Sequence, residues 1–121
     1  MKILIIDDDK TTVYGLTHYL KEKGHSVAAA SDGEAAIREA VQAHDVILSD
    51  VMMPGISGLS LISILRTTHL CTTPIIMMSS LVNQPLLDAA FEAGANGFIA
   101  KPVNTAELEE NLRKFNPKPE N

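Results

Sequence analysis

Four short apolar runs in this chain lead into residues that can do chemistry. Residues 3–6 run into Asp7, Asp8 and Asp9. Residues 46–48 lead to Asp50, residues 75–78 to Ser79 and Ser80, and residues 98–100 to Lys101. The groups on offer are clustered carboxylates, a hydroxyl and an ammonium. Were Asp7, Asp8 and Asp50 to come within a few ångströms of one another, their repulsion would amount to several kcal/mol at an intermediate dielectric. Such a cluster takes up a proton or holds a cation. Oxygen ligands select hard divalent ions. A site with few protein ligands and room for waters and phosphate oxygens suits Mg2+, with Mn2+ a second fit.

Each residue also has a plainer reading. An acid after a strand often caps the next helix and complements its dipole, and Asp9 is assigned that role. Lys101 alone would be a surface lysine, Ser79 a satisfied hydroxyl and Phe98 a core aromatic. For Asp7 and Asp8, convergence with Asp50 and Lys101 favours the metal-binding reading.

That convergence depends on the elements carrying these residues. With residues 27–30 there are five apolar runs, each short, continuous and bounded by turn or polar residues, as in strands buried on both faces. The gaps carry helical faces: Val13, Leu16 and Leu20; Ala36, Ile37, Ala40 and Val41; Leu59, Ile62 and Leu65; Leu87, Ala90 and Phe91; Leu108, Leu112 and Phe115. Ser31 with Glu34, and Asn104 with Glu107, form capping pairs. Asn83 caps the fourth helix, with Pro85 in its first turn. Gly24 and Gly94 stand where helix ends need a left-handed residue, and Pro54-Gly55 fits a type II turn. Strict alternation of strand and helix predicts an α/β fold: a parallel sheet with right-handed crossovers and five helices on both faces. Ligands of such sheets bind at the carboxyl ends of the strands, which is where the polar residues above fall.

Length and composition agree. The 121 residues suit one domain, 1–116, with 117–121 a tail or the start of a linker. Hydrophobic residues make up 45% and aromatics 4%, so the core is built from aliphatics and Met. A formal charge of −5 argues against direct nucleic-acid binding. No apolar run reaches the ~20 residues of a membrane span, and the single Cys71 can form no internal disulfide, so the chain is expected to be cytoplasmic with no membrane partner. His18, His25, His44 and His69 lack the paired spacing of a zinc site.

Four segments carry a family resemblance: Ile5-Ile6-Asp7-Asp8-Asp9; Ile47-Leu48-Ser49-Asp50-Val51-Met52-Met53-Pro54-Gly55-Ile56-Ser57-Gly58; Pro74-Ile75-Ile76-Met77-Met78-Ser79-Ser80; and Gly94-Ala95-Asn96-Gly97-Phe98-Ile99-Ala100-Lys101-Pro102. In this order, and over essentially the whole chain, they resemble the signature blocks of response-regulator receiver domains of two-component (His-Asp phosphorelay) systems. The resemblance implies a doubly wound, flavodoxin-like sheet of order 2-1-3-4-5. It implies that Asp50 is the phosphoacceptor. Asp8 and Asp50 would bind Mg2+ directly, with the backbone carbonyl of Met52, and Asp7 would act mainly through a water. Lys101 and Ser79 would hold phosphoryl oxygens, Ser79 and Phe98 would form a switch, and Gly58 and Pro102 would be structural, the Lys101-Pro102 bond being cis. The donor would be a sensor histidine kinase or a phosphotransfer protein, and the output a separate effector or a fused domain. Dimerisation through helix 4, strand 5 and helix 5 is also implied. Such a domain is a switch and not a turnover enzyme.

The chain departs from the commonest pattern at a few positions. Ser79 replaces Thr and Phe98 replaces Tyr. Met52 and Leu81 are apolar where polar residues help a hydrolytic water in faster members, so a long-lived phosphoryl form is expected. A rival reading takes Asp7-Asp8-Asp9-Lys10-Thr11 as the motif of haloacid-dehalogenase-like phosphatases, with Asp7 the nucleophile and Asp9 the acid–base. Those enzymes need further acids beyond their lysine, whereas Lys101 is followed by Pro-Val-Asn. A flavin-phosphate binder is disfavoured by three acids where a phosphate would sit.

Overall fold

The computed structural model describes residues 1–53 and 55–116. Strands β1 (Lys2–Ile6), β2 (Ser26–Ala30), β3 (Val46–Asp50), β4 (Ile75–Ser79) and β5 (Gly97–Ala100) alternate with helices α1 (Lys10–Glu22), α2 (Gly33–Ala40), α3 (Gly58–Thr67), α4 (Gln84–Ala93) and α5 (Thr105–Phe115). All pairings are parallel, in the order β2-β1-β3-β4-β5. The fold class, the order and the five helices are those expected.

The side-chain period of two sends alternate strand residues to opposite faces. Ile3, Ile5, Val46, Leu48, Ile76, Met78 and Ile99 pack with Leu16 and Leu20 of α1 and with Leu108 and Leu112 of α5. Leu4, Ile6, Ile47, Ile75 and Met77 face Ala36 and Ala40 of α2, Leu61, Ile62 and Leu65 of α3, and Ala90 of α4. Residues 3–6 are fully buried. Burial on that scale is worth about 2 kcal/mol per large side chain, which is why runs of four or five apolar residues suffice for strands.

Several expectations need correction. β3 and β4 run beyond the apolar residues to Asp50 and Ser79, because the ladder continues through Asp50 opposite Met78 and Ser79 opposite Ala100. Both of these candidate site residues are therefore the last residues of strands. Ser31 does not cap α2. Asp32 does, accepting from the Ala35 N–H at 2.8 Å, so the helix begins one residue later. Val41 lies past the end of α2 and is 55% exposed, and Phe91 faces outward at 50% exposed. Asn83 and Asn104 cap α4 and α5 through the N–H groups of Leu86 and Glu107. Gly24 and Gly94 have φ of 90° and 118°. Gly55 has φ 85°, but the expected Pro54-Gly55 turn and the 117–121 tail fall partly or wholly outside the described residues.

Candidate functional site

The carboxyl ends of β1, β3, β4 and β5 form one rim. Asp7 is the first residue past β1. Its backbone N–H donates to the Ala30 carbonyl at 3.1 Å, which ties it to the neighbouring strand end, and it is 1% exposed. One of its carboxylate oxygens accepts from the Asp9 N–H at 3.0 Å. The other accepts from Lys101 Nζ at 2.6 Å. Lys101 Nζ also lies 3.4 Å from Asp50 Oδ1. Asp50 is buried, Asp8 is exposed, and an oxygen from each of Asp7, Asp8 and Asp50 lies within 4.8 Å of the others. Asp9 turns away to cap α1, accepting from the Thr11 N–H and the Thr12 hydroxyl.

β4 and β5 are joined at this rim by the Lys101 N–H, which donates to the Ser79 carbonyl at 2.8 Å. Ser79 is buried, and its Oγ accepts from the Leu81 N–H at 3.0 Å. Met52, Leu81 and Val82 are exposed around the mouth. Phe98 is half-buried against the core of α2, α3 and α4. The Lys101-Pro102 bond is cis. Gly58 begins α3 directly on the strand: a Cβ there would collide with the Asp50 carbonyl oxygen and approach the Val51 Cα to 2.8 Å.

The electrostatics follow from this geometry. Burial raises the Asp50 carboxyl above its ordinary value and the Asp7 charge raises it further; Lys101 and the Met52 N–H oppose that rise. Burial alone would lower Lys101, but the hydrogen bond and charge of Asp7, followed by Asp50, outweigh it, so Lys101 remains an ammonium. Three carboxylates against one ammonium leave an excess of negative charge in a partly buried site. Hard oxygen donors, close spacing and uncompensated charge fit a divalent cation.

Asp7, Asp8, Asp50, Ser79 and Lys101 stand on this rim, whereas Ser80, named beside Ser79, is exposed past the end of β4. What was not foreseen is that the shortest contact of Lys101 is to Asp7 and not to Asp50. Both acids stand at strand ends, and nothing in the residue order distinguishes them. Three of the four histidines have partners of their own. His18 pairs with Glu22, His25 with the Met1 amine, and His44, whose side chain is buried, with the Glu39 carbonyl. Among the described residues, the acid cluster at the rim is the group spaced to hold a metal, and no helix is long and apolar enough to cross a membrane.

Comparison with known proteins bears on the same rim. The family described as the response regulator receiver domain matches residues 3–113. The transcriptional regulatory protein CpxR of Escherichia coli (strain K12) is 36% identical over 112 residues, which is 93% of this chain and 47% of CpxR. The chain thus spans about half the length of that relative. The crystal structure of a putative response regulator from Chloroflexus aurantiacus superimposes with a TM-score of 0.87 at 34% identity, covering 94% of this chain and 95% of that one. The receiver domain of the sensor histidine kinase PA1611 from Pseudomonas aeruginosa, solved with a magnesium ion in its active site cleft, gives 0.84 at 29% identity, covering 94% and 95%. With sheet order, rim residues and family match in agreement over nearly the whole length, the chain belongs to the response regulator receiver domains of two-component systems.

Proposed function

We propose that Asp50 accepts a phosphoryl group from a phosphohistidine on a sensor histidine kinase or phosphotransfer protein. The observation that carries this reading is Lys101 Nζ bridging Asp7 and Asp50, at 2.6 and 3.4 Å, beside the exposed Asp8. An Asp50 carboxylate oxygen attacks phosphorus and the P–N bond breaks with its electron pair going to the ring nitrogen, so a phosphohistidine protonated on its other ring nitrogen departs as neutral imidazole. Asp7, Asp8 and Asp50, with the Met52 carbonyl, would hold Mg2+, which supplies charge neutralisation for the transferring group. Mn2+ suits the same oxygen donors. Lys101 holds one phosphoryl oxygen, and the Ser79 hydroxyl turns from accepting the Leu81 N–H to donating to another. Contacts made in only one conformer are what shift a population, so Ser79 and then Phe98 carry the change outward. The domain acts as a switch, not a turnover enzyme. Its output is an effector protein or a fused domain, with dimerisation through the α4-β5-α5 face, and the apolar Met52 and Leu81 favour a long-lived phosphoryl form.

Incubation with acyl phosphate and Mg2+, followed by intact-mass measurement, tests the reading. The expected result is one phosphoryl group per chain, absent in Asp50→Asn. Continued turnover that depends on Asp7 would instead establish a phosphatase of the haloacid-dehalogenase type.

A further inference from the structure

Arg66, in the last turn of α3, donates five hydrogen bonds: from Nε to the Gly94 carbonyl (3.1 Å), from Nη1 to the carbonyls of Cys71 (2.8 Å) and Thr73 (2.7 Å), and from Nη2 to the Gly94 carbonyl (2.9 Å) and Asn96 Oδ1 (2.8 Å). The guanidinium has five N–H groups, so its fork is saturated. Asn96 extends the network, since its Oδ1 accepts from the Ile75 N–H at 2.9 Å while its own N–H donates to the Ile75 carbonyl at 2.7 Å. Gly94, in the left-handed conformation at the end of α4, lies so close that a Cβ would come 2.7 Å from Arg66 Cγ. One side chain therefore ties α3, the start of β4, the end of α4 and the approach to β5 into a single block.

The other end of α4 is held differently. Residues 80–83, which join Ser79 to the helix, are all exposed. Leu86 and Leu87 are half-buried, and among the described residues of α4 Ala90 is the one fully buried. Release of the Leu81 N–H by Ser79 would leave this loop free to rearrange, and the first turn of the helix is held to the core by the half-buried Leu86 and by no fully buried side chain.

We infer that Arg66 is a positioning residue for the switch: it fixes the C-terminal end of α4, so that phosphorylation pivots α4 about Gly94 and displaces its N-terminal half. The inference rests on Asp50 being the phosphoacceptor. It specifies which half of the helix a partner can read as changed and which half serves as the fulcrum.

Amide hydrogen exchange on the chain with Mg2+, with and without beryllium fluoride as a stable phosphoryl mimic, tests it, while ¹⁹F NMR reports whether the mimic binds. The expected result is a change of about tenfold in exchange over residues 81–89, with residues 90–96 altered less than about twofold. In Arg66→Lys, which keeps the charge and loses the fork, the change spreads through residues 90–96. A change of equal size along the whole of α4 in the unsubstituted chain overturns the pivot, and that measurement needs no variant to fold. So does an Arg66→Lys protein whose exchange rises evenly everywhere with the same response to the mimic, since that marks a merely structural residue. Absence of a bound ¹⁹F signal marks a different failure, that of the phosphoacceptor reading, and the pivot falls with it.

Discussion

Lys101 and Arg66 are both partly buried cations, one at the carboxyl end of the sheet and the other at the amino end, and their surroundings differ in kind. Arg66 is surrounded by neutral acceptors, four backbone carbonyl contacts and one side-chain amide, which occupy all its donors. Lys101 faces carboxylates that outnumber it, one of them raised in pKa by burial and by its neighbour Asp7. A saturated cation holds elements together and has nothing left to offer a ligand. An outnumbered one leaves a charge imbalance that a ligand can relieve. The contrast separates a cation with no donor left from one whose surroundings a ligand can rebalance, though both are partly buried.

The comparison can be broken at either end. Lys101→Met is expected to slow phosphoryl labelling by acyl phosphate about 10²–10³-fold, the usual scale for losing one donor to a developing charge. An unchanged rate, measured by intact mass against time, would remove Lys101 from the chemistry. Arg66→Met should destabilise the fold by about 3 kcal/mol in denaturant titration, because several partly buried acceptors lose their donor at once, while the labelling rate of the folded protein changes less than about threefold. The reverse outcome, intact stability with slowed labelling, would invert the assignment of the two cations.

Asp50→Asn should stabilise the divalent-free protein by about 1–2 kcal/mol at neutral pH, by removing a buried like charge. The sign of its pH dependence follows from the raised carboxyl. The folded chain holds the Asp50 proton to higher pH than the unfolded chain does, so stability is lost as pH rises from the ordinary carboxylate value to the raised one. The advantage of Asn should therefore vanish below about pH 4. Mg2+ should reverse it by stabilising only the unsubstituted chain. Calorimetry at several pH values checks both points. The smallest effect is expected at Leu70, which sits just beyond α3 with φ 52° and 76% exposed. Relief of about 1 kcal/mol of left-handed strain, less the added freedom of the unfolded chain, predicts that Leu70→Gly stabilises by about 0.5 kcal/mol. A loss of stability there would show that the exposed side chain makes contacts beyond its local backbone.

The rim was legible in the residue order because each of its members stands within two residues of the end of an apolar run, and buried parallel strands are the elements that such runs form most plainly. Helix edges were less legible. Ser31 and Asp32 are both good capping residues, and only the backbone decides between them. Val41 and Phe91 continue an apolar helical pattern, but α2 stops before the first and the core of α4 is too narrow to cover the second. Arg66 was not legible at all. A basic residue in a last helical turn is ordinarily a solvated complement to the dipole, and its acceptors come from two separate loops that no local pattern brings together.

Gly58 constrains how the molecule can respond. Its N–H donates to the Val51 carbonyl at 2.8 Å, and the bare Cα leaves α3 resting on the backbone of Asp50 and Val51. Helix and strand there form a single rigid wedge, with no clearance in which one could slide past the other. Any displacement of the Asp50 backbone therefore meets the start of α3 at once.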